Sequence, residues 1–226
     1  EKSWLEEHGD IRMGFLNNDP AIFSMDETTG KLTGMLSEYV SYAKECLGNQ
    51  TLKFNIQDYD DYDEMLQALQ EREIDMIFYA GRNPYFAEEN GYALTNTAWT
   101  YNLMAVTDEK NFDEGNVYTV AVPKEKEALK QHIAFSYPQW KLVDCDSLDD
   151  AADMVTNGKA DCFLMGASQA LIYDNSQNFK SIPLTKTMEA CFAVKGGEGT
   201  LLSILNKTLK AMPSDMLTSA LAIYDS

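Results

Sequence analysis

The stretch DEMLQALQEREIDMIFYAG, residues 63–81, decides the fold class of this chain. Its first part carries Met65, Leu66 and Leu69 at helical spacing, and Asp61 just before it is a residue type that caps helices. Its second part is an almost continuous apolar run that stops at Gly81, which is typical of a buried parallel strand. A helix that leads directly into a buried strand predicts a βαβ crossover.

The same alternation continues on both sides of this stretch. Upstream, a strand, a helix stopped by Gly48 and a second strand are predicted, at residues 11–16, 36–47 and 52–56. Downstream, further strands are predicted at 117–122, 140–143 and 162–165, and helices at 124–133, 147–158, 200–212 and 214–221. Two βαβαβ patterns in succession predict an α/β protein with two similar lobes.

Charge excludes two classes of partner. The 226 residues include 18 basic and 36 acidic side chains, so the formal net charge is −18. Such a surface repels nucleic acids and anionic lipids. A solvated acidic face explains the charge more simply than a cationic ligand or partner does. No run of apolar residues reaches the roughly 18 that a membrane span needs.

Catalytic, cofactor and metal motifs are missing from the sequence. There is no phosphate-cradling glycine loop and no nucleophile elbow, and residues 196–199 are predicted to form a simple turn. The two histidines are far apart, and His132 is predicted to be solvated on its helix. Acidic pairs are so frequent that none can be singled out as catalytic. The sequence therefore predicts no catalytic residue, no cofactor and no metal site.

Four cysteines lie far apart in the sequence, at Cys46, Cys145, Cys162 and Cys191. Each one adjoins an apolar stretch, and no C-x-x-C pair is present. Buried thiols are favoured over disulfides, although the pairing stays open.

Three stretches together resemble the type II periplasmic solute-binding family, also known as family 3 of the bacterial extracellular solute-binding proteins. They are IRMGFLNNDPAIFSMDETTGKLTGMLSEYVSYAKECLG, DEMLQALQEREIDMIFYAG and VTNGKADCFLMGAS, at residues 11–48, 63–81 and 155–168. The resemblance implies a two-lobed α/β fold in which each lobe is a mostly parallel sheet flanked by helices. Two hinge strands would join lobe 1 (1–105 and 193–226) to lobe 2 (106–192), with the crossings near 104–106 and 190–192.

Two further stretches are similar to receptor members of this family. EKSWLEEHGDIRMGF, residues 1–15, resembles the lead-in of extracytoplasmic sensor domains, and LLSILNKTLKAMP, residues 201–213, resembles their closing helix. Such receptors are chiefly histidine kinases and diguanylate cyclases. The resemblance implies an extracytoplasmic domain that closes on a small molecule, that is attached to a membrane through flanking segments, and that works in a receptor dimer.

The charged anchors of amino-acid binders are absent at the matching positions. The family holds the ligand carboxylate with an arginine, but the matching position here falls at or near Glu88. It holds the ammonium with an aspartate, and that position is Gly166. Because a glutamate cannot replace a bidentate arginine, ordinary α-amino-acid binding is in doubt.

The ligand-binding residues that the resemblance implies are Asp19, Phe23, Tyr62, Arg82, Asn83, Trp99 and Tyr101 from lobe 1, and Gly166 and Ser168 from lobe 2. Two ligand classes stay open. Arg82 would hold an anion, unless it forms a structural ion pair. The acidic and aromatic groups would instead suit a cation, unless Trp99 and Tyr101 serve only core packing.

The predicted function is that of a sensor domain of a membrane receptor rather than an enzyme. Three alternatives remain: a free or lipid-anchored solute-binding protein of an ABC transporter, a ligandless module that binds a partner, and an enzyme related to dehydratases, for which no acid and base pair stands out.

Overall fold

The computed structural model describes residues 1–46, 52–174 and 178–224. Its helices are α1 Lys2–His8, α2 Met35–Cys46, α3 Tyr62–Gln70, α4 Pro84–Glu89, α5 Glu127–Ser136, α6 Leu148–Thr156, α7 Ala167–Asp174, α8 Gly199–Ala211 and α9 Met216–Tyr224. Its strands are β1 Ile11–Leu16, β2 Ser24–Met25, β3 Leu32–Thr33, β4 Phe54–Tyr59, β5 Met76–Gly81, β6 Tyr92–Leu94, β7 Trp99–Tyr101, β8 Leu103–Thr107, β9 Thr119–Pro123, β10 Lys141–Cys145, β11 Cys162–Gly166, β12 Lys180–Pro183 and β13 Met188–Lys195.

The chain folds into two α/β units. Unit 1 comprises Glu1–Ala80, Pro84–Trp99 and Ala190–Ser226, and unit 2 comprises Gly81–Asn83 and Thr100–Glu189. The chain therefore changes unit four times, at Ala80–Gly81, Asn83–Pro84, Trp99–Thr100 and Glu189–Ala190. The crossings near 104–106 and 190–192 stay predictions. The segment Gly81–Asn83 belongs to unit 2, whereas the sequence analysis placed it in lobe 1.

Unit 1 is built on a sheet with the order β4-β1-β5-β13-β6, and β7 also pairs with β13. Strand β1 is parallel to β4, with Ile11 opposite Phe54, and parallel to β5, with Met13 opposite Met76. Strand β13 is antiparallel to β6. The parallel β4-β1-β5 core is the predicted βαβαβ pattern, in which α2 and α3 make the crossovers.

Aromatic rings fill the centre of unit 1. Tyr39 on α2 lies 4.7 Å from Phe192, and Phe78 lies 4.9 Å from Phe192, measured between ring centroids. All three side chains are at most 1% exposed. Large rings of this kind contribute much of the apolar burial that stabilises a lobe of this size.

Unit 2 has a five-stranded sheet with the order β10-β9-β11-β8-β12. Strands β10, β9 and β11 run parallel, and β8 is antiparallel to β11, with Thr107 opposite Cys162. Helix α6 covers this sheet through Ala151, Ala152 and Val155, which are buried. Parallel strands with crossover helices again match the prediction.

Both predicted helix caps are present. The Asp61 carboxylate accepts a hydrogen bond from Asp63 N at 2.7 Å, and Ser147 Oγ accepts one from Asp150 N at 3.1 Å. The predicted start of α5 was three residues early, because the backbone after β9 first makes a turn in which Lys126 N donates to Pro123 O at 3.0 Å. The predicted stop at Gly48 lies outside the described residues.

Helix α1 is bonded to the rest of unit 1 at both ends. Glu1 accepts hydrogen bonds from Ser203 Oγ at 2.7 Å and Lys207 Nζ at 2.5 Å on α8. At the other end His8 Nε2 lies 2.8 Å from Asp75 Oδ2. No residue of α1 is fully buried, but Trp4 and Leu5 are half-buried, so these polar contacts add to partial apolar packing.

Three cysteines, Cys145, Cys162 and Cys191, are buried thiols, as predicted. The Cys46 side chain lies outside the described residues. In the part of the chain that the structure describes, no helix combines the length and the apolarity that crossing a bilayer requires.

Candidate functional site

The carboxyl edge of the parallel strands in unit 1 is acidic, but its acids are already bonded. Asn17, directly after β1, donates through Nδ2 to Asp58 at 3.2 Å and to Asp60 at 2.5 Å. Asn17 N also donates to Tyr59 O at 3.0 Å. These contacts tie the ends of β1 and β4 together, so the carboxylates serve the local structure of this edge.

Asp19 and Phe23 shape the turn that follows β1. Asp19 Oδ1 accepts a hydrogen bond from Ala21 N at 3.0 Å, and Asp19 O accepts one from Ile22 N at 3.1 Å. The ring of Phe23 lies 5.0 Å from that of Phe15, which is buried. Asp19 is half-buried and fixes the turn that presents Phe23.

Tyr62 is the first residue of α3, directly after the Asp61 cap. Its half-buried ring packs against the apolar cluster that includes Met65 and Leu69. The side chain therefore lies at the same carboxyl edge as Asp19, at a position that the helix cap fixes.

Trp99 is part of the unit 1 core and also carries a buried donor. It is 2% exposed, and its ring lies 5.4 Å from Phe78 and 4.8 Å from Tyr79. Its Nε1 has no hydrogen-bond acceptor among the described residues. Core packing thus explains the ring of Trp99 and leaves its indole N–H unexplained, since a buried donor normally finds a partner.

Arg82 and Asn83 group with unit 2, whereas they were predicted in lobe 1. A Cβ at Gly81 would lie 2.1 Å from Ala128 O on α5, so the backbone approaches that helix more closely than any side chain permits. Arg82 N donates to Glu189 O at 3.2 Å, and Asn83 Nδ2 donates to Gln131 O at 3.4 Å. These contacts fix the segment on unit 2.

The side chain of Arg82 forms no structural ion pair with any described residue. Its Nε is buried and has no acceptor among those residues. The arginines at positions 12 and 72, in contrast, are paired with Asp75 and Glu198. The described residues thus offer no ion-pair partner for Arg82, and its predicted role in ligand binding stays a prediction.

The remaining candidates also lie in unit 2. Tyr101 is half-buried at the end of β7. It groups with unit 2, whereas it was predicted in lobe 1. Gly166 ends β11 opposite Leu103, and α7 begins at the next residue. The Ser168 side chain lies outside the described residues. Glu88, at the position of the family's arginine, is exposed on α4.

His132 is buried, so the prediction of a solvated side chain was wrong. It is 3% exposed and lies on the inner face of α5 with Leu129 and Ile133. Burial lowers the pKa of His132 to about 4, and the positive charge of Lys186 adds to this shift. The ring is therefore neutral at pH 7, with Ser136 Oγ 3.3 Å from Nδ1 and no partner at Nε2 among the described residues.

The described residues bring no three His, Cys, Asp or Glu side chains together in a way that would hold a metal ion. Each unit carries hydrogen-bond donors or aromatic rings among its candidate residues, such as Trp99 in unit 1 and Arg82 in unit 2. This chemistry suits the recognition of a small polar solute.

The fold defines a solute-binding domain of the two-lobed periplasmic type. The chain belongs to the bacterial extracellular solute-binding proteins, family 3, whose model matches residues 11–222. Family membership confirms the predicted fold class and the predicted extracytoplasmic solute-binding domain.

Two comparisons with BvgS relate this chain to the sensor domains of the family. The virulence sensor protein BvgS of Bordetella pertussis is 24% identical over 235 residues, covering 98% of this chain and 18% of that protein. The solved BvgS periplasmic VFT2 domain is 24% identical, with a TM-score of 0.70 over 99% of this chain and 96% of that one. The matched regions are sensor or binding domains, which favours the predicted sensor over a free transport protein.

The fold is also that of amino-acid binders. An ancestral amino acid-binding protein, AncCDT-1, described as a precursor of cyclohexadienyl dehydratase, has a TM-score of 0.64 at 18% identity, covering 99% of this chain and 98% of that one. At this identity the likeness concerns the fold alone.

Proposed function

We propose that this domain is the ligand-sensing part of a membrane signalling receptor, and that catalytic activity lies in other domains of that receptor. The observation that carries the proposal is the BvgS match, which extends over 98% of this chain but only 18% of the sensor protein. A domain of this length would occupy the sensing position of a longer receptor, which flanking segments would attach to the membrane and which would work as a dimer.

The candidate residues support a binding role over a catalytic one. Their polar groups are a guanidinium, a carboxamide, an indole N–H, three hydroxyls and a structural carboxylate, and no carboxyl or imidazole pair is among them to act as acid and base. The ligand-binding residues of the proposal are those of the sequence analysis: Asp19, Phe23, Tyr62 and Trp99 in unit 1, and Arg82, Asn83, Tyr101, Gly166 and Ser168 in unit 2.

Four buried polar groups have no partner among the described residues, and two of them, Arg82 Nε and Trp99 Nε1, belong to candidate ligand-binding residues. Arg82 Nε and Trp99 Nε1 lack acceptors among the described residues, and each unsatisfied donor costs about 1–3 kcal/mol. A ligand that supplies acceptors removes this cost in the bound state only. It would therefore stabilise one conformation of the domain and shift the population towards it, which is the physical basis of a sensor.

A transport protein is the second candidate, because an amino acid-binding protein shares the fold. The loss of both amino-acid anchors, at Glu88 and Gly166, weighs against this alternative. The full-length gene distinguishes the two: an apolar span followed by signalling domains supports the receptor, and a lipid-attachment cysteine with no such domains supports the transport protein.

A thermal-shift screen of the purified domain tests ligand binding. The compounds are amino acids, polyamines, quaternary amines, small carboxylates, sugars and purines. A compound at about 100 times its Kd adds roughly 2.7 kcal/mol to the stability of the domain, and we expect one class to raise the Tm by several degrees. If no class does so, the binding role is wrong and a ligandless module takes its place.

A further inference from the structure

A cavity of about 270 Å³ lies within unit 1, at the edge where its parallel strands begin. It is lined by Arg12, the second residue of β1, and by Asp75, which directly precedes β5. Trp4 and His8 of α1 line another side. The candidate ligand-binding residues of unit 1 that follow β1 and β4 lie instead at the carboxyl edge of the sheet. The cavity is therefore a separate place in the molecule, and its volume suits only a small ligand.

The charge of this cavity is opposite in sign to that of the whole chain. Its lining includes three permanent cations, Arg12, Arg72 and Lys195, and two carboxylates, Asp75 and Glu198, which leaves a charge of +1. Asp75 already accepts three hydrogen bonds from Arg12, so its charge is largely compensated. The chain carries a net charge of −18, yet two of its three arginines lie here. A locally positive cavity attracts anions in spite of the overall repulsion.

Each of the three cations keeps hydrogen-bond donors that no described residue accepts. Arg12 donates to Asp75 through Nε and Nη2, both at 3.1 Å, which leaves Nη1. Arg72 contacts Glu198 through Nη1, which leaves Nε and Nη2. Lys195 Nζ donates to Gln70 O at 2.6 Å and has two further protons. These contacts hold the three side chains in place and leave donors for a ligand.

An equivalent turn in unit 2 shows that the fold does not require an arginine at position 72. Arg72 follows α3 with a φ of 62°, and Gly158 follows α6 with a φ of 72°. In both turns the amide of the next residue donates, at 2.8 Å, to the carbonyl five residues before it. Glycine is the favoured residue in this left-handed conformation. An arginine there costs conformational energy, which indicates that its side chain has a function.

Arg12 has a neutral counterpart as well. Arg12 N donates to the Asp75 carboxylate at 2.8 Å, and in unit 2 Thr119 N donates to the Asp161 carboxylate at 2.7 Å. Each acid directly precedes a strand, and its own amide donates back to the same partner residue at 2.8 Å. The same junction thus forms with a threonine. Two of the three cations therefore stand where the equivalent architecture of unit 2 has neutral residues.

We propose that this cavity is a second small-molecule site, independent of the sensing role above, and that it binds a phosphate monoester on a small apolar body. A phosphate monoester carries a charge of about −1.5 to −2 at pH 7 and has three acceptor oxygens. These oxygens can accept from cations on β1, after α3 and at the end of β13 together, whereas a carboxylate offers only two coplanar oxygens.

The rest of the lining fits the apolar body of such a ligand. Leu69, Ile74 and Leu201 line the cavity, and each is 1% exposed. Contact with these side chains removes apolar surface of the ligand from water. Because a chain with a charge of −18 is repelled by anionic bilayers, the ligand is a soluble molecule rather than a lipid headgroup.

Occupancy of the site should hold α1 more firmly on unit 1. The rings of Trp4 and His8 are stacked, with centroids 4.4 Å apart, and both residues line the cavity. Because no residue of α1 is fully buried, contacts with a ligand add to limited packing. A bound ligand therefore reduces local opening of this helix, which hydrogen exchange detects.

Titration of the purified domain with phenyl phosphate tests the ligand class. We expect phenyl phosphate to raise the Tm and to slow hydrogen exchange in α1. Phenol lacks the anion and benzoate lacks the third acceptor, so both should bind at least about tenfold more weakly. Inorganic phosphate lacks the apolar body and should also bind more weakly than phenyl phosphate.

Substitution of Arg72 separates binding from folding. R72G gives the turn the residue that unit 2 has at Gly158. Without ligand it should melt within about 3 °C of the wild type, because the exposed ion pair with Glu198 contributes little and the left-handed conformation suits glycine. It should bind phenyl phosphate about tenfold to 100-fold more weakly. K195Q should also weaken binding, whereas K141Q, which removes an exposed cation of unit 2, should bind as the wild type does.

Each outcome decides a different point. Absence of binding, or wild-type affinity in both R72G and K195Q, overturns the site. Equal affinity for benzoate or phenol overturns the phosphate class. A large fall in the Tm of ligand-free R72G overturns the argument from the turn, and K195Q then decides the site. The sensing role is unaffected by any of these results, because its candidate residues lie elsewhere.

Discussion

Tyr39 Oη and Thr208 Oγ1 lie 2.7 Å apart in the core of unit 1, although 169 residues separate them in the sequence. Both side chains are fully buried, and the contact joins α2 to α8. Thr208 Oγ1 is also 2.6 Å from Leu205 O, so its hydroxyl proton points to that carbonyl and the Tyr39 hydroxyl donates to Thr208.

The Tyr39–Thr208 bond should contribute measurably to the stability of the domain. T208V keeps the shape of the side chain and removes the acceptor, so we expect a loss of about 1–2 kcal/mol in the free energy of unfolding. In a double-mutant cycle with Y39F, a coupling energy of about 1 kcal/mol is expected. T200V, an exposed site on the same helix, should change little. Additive effects of T208V and Y39F would contradict the prediction.

Asp75 should make the stability of the domain depend on acid pH. Burial raises the pKa of its carboxyl, but hydrogen bonds from Arg12 and His8 outweigh burial, so the net pKa lies below the usual value. A depressed pKa stabilises the fold above the unfolded value of about 4, and this contribution is lost as the pH falls through the folded value.

We therefore expect D75N to lose about 2 kcal/mol at pH 7. Urea unfolding should show the gap between D75N and the wild type closing as the pH falls below about 4. D10N, an exposed change one residue before β1, is the control and should unfold at the wild-type urea concentration at pH 7. A gap that stays constant down to pH 2 would rule out the ionised carboxylate as its source.

His132 should weaken the fold as the pH falls towards 4. Its folded pKa of about 4 lies below the unfolded value of about 6.5, so unfolding takes up a proton between these values. The free energy of unfolding should thus drop by about 3 kcal/mol over this window. H132L should remove this slope and leave stability at pH 7 equal or higher. Parallel profiles for the two proteins would show that His132 is not the titrating group.

Gly81 should tolerate no side chain. A Cβ there would lie 2.1 Å from Ala128 O, and backbone cannot move aside as cheaply as the end of a flexible side chain. We expect G81A to lose about 2–3 kcal/mol or more in the free energy of unfolding. G199A, at a helix start with nothing within 4 Å, should be neutral. Equal melting temperatures for the two variants would refute the close contact.

Local signals in the sequence predicted most of the fold. Features that depend only on residues close in the sequence can be predicted from the sequence alone. They include the apolar runs of β1, β5 and β11 and the helix caps Asp61 and Ser147. The burial of His132 could also be predicted from the sequence, because Leu129 and Ile133 place it on the apolar face of α5. The polar side chain of His132 favours a solvated position, but the phase of the helix decides its burial.

The candidate site was less predictable because it depends on contacts that are distant in the sequence. Whether Gly81–Asn83 belongs to one unit or the other is decided by α5, which begins more than forty residues later. Whether Arg82 is paired depends on every acid that folding brings near it. The one local signal is Gly81, because a glycine is the residue type that permits a close backbone contact such as the one with Ala128.

The buried thiols bear on how the domain is made rather than on what it binds. In the folded protein Cys145, Cys162 and Cys191 are shielded, and burial raises the pKa of Cys162 and Cys145, so little reactive thiolate forms. An extracytoplasmic compartment is oxidising, and the newly exported chain meets its oxidants before these side chains are covered. Folding must therefore be faster than thiol oxidation. The cysteines are exposed to oxidation while the domain folds, and are protected once it has folded.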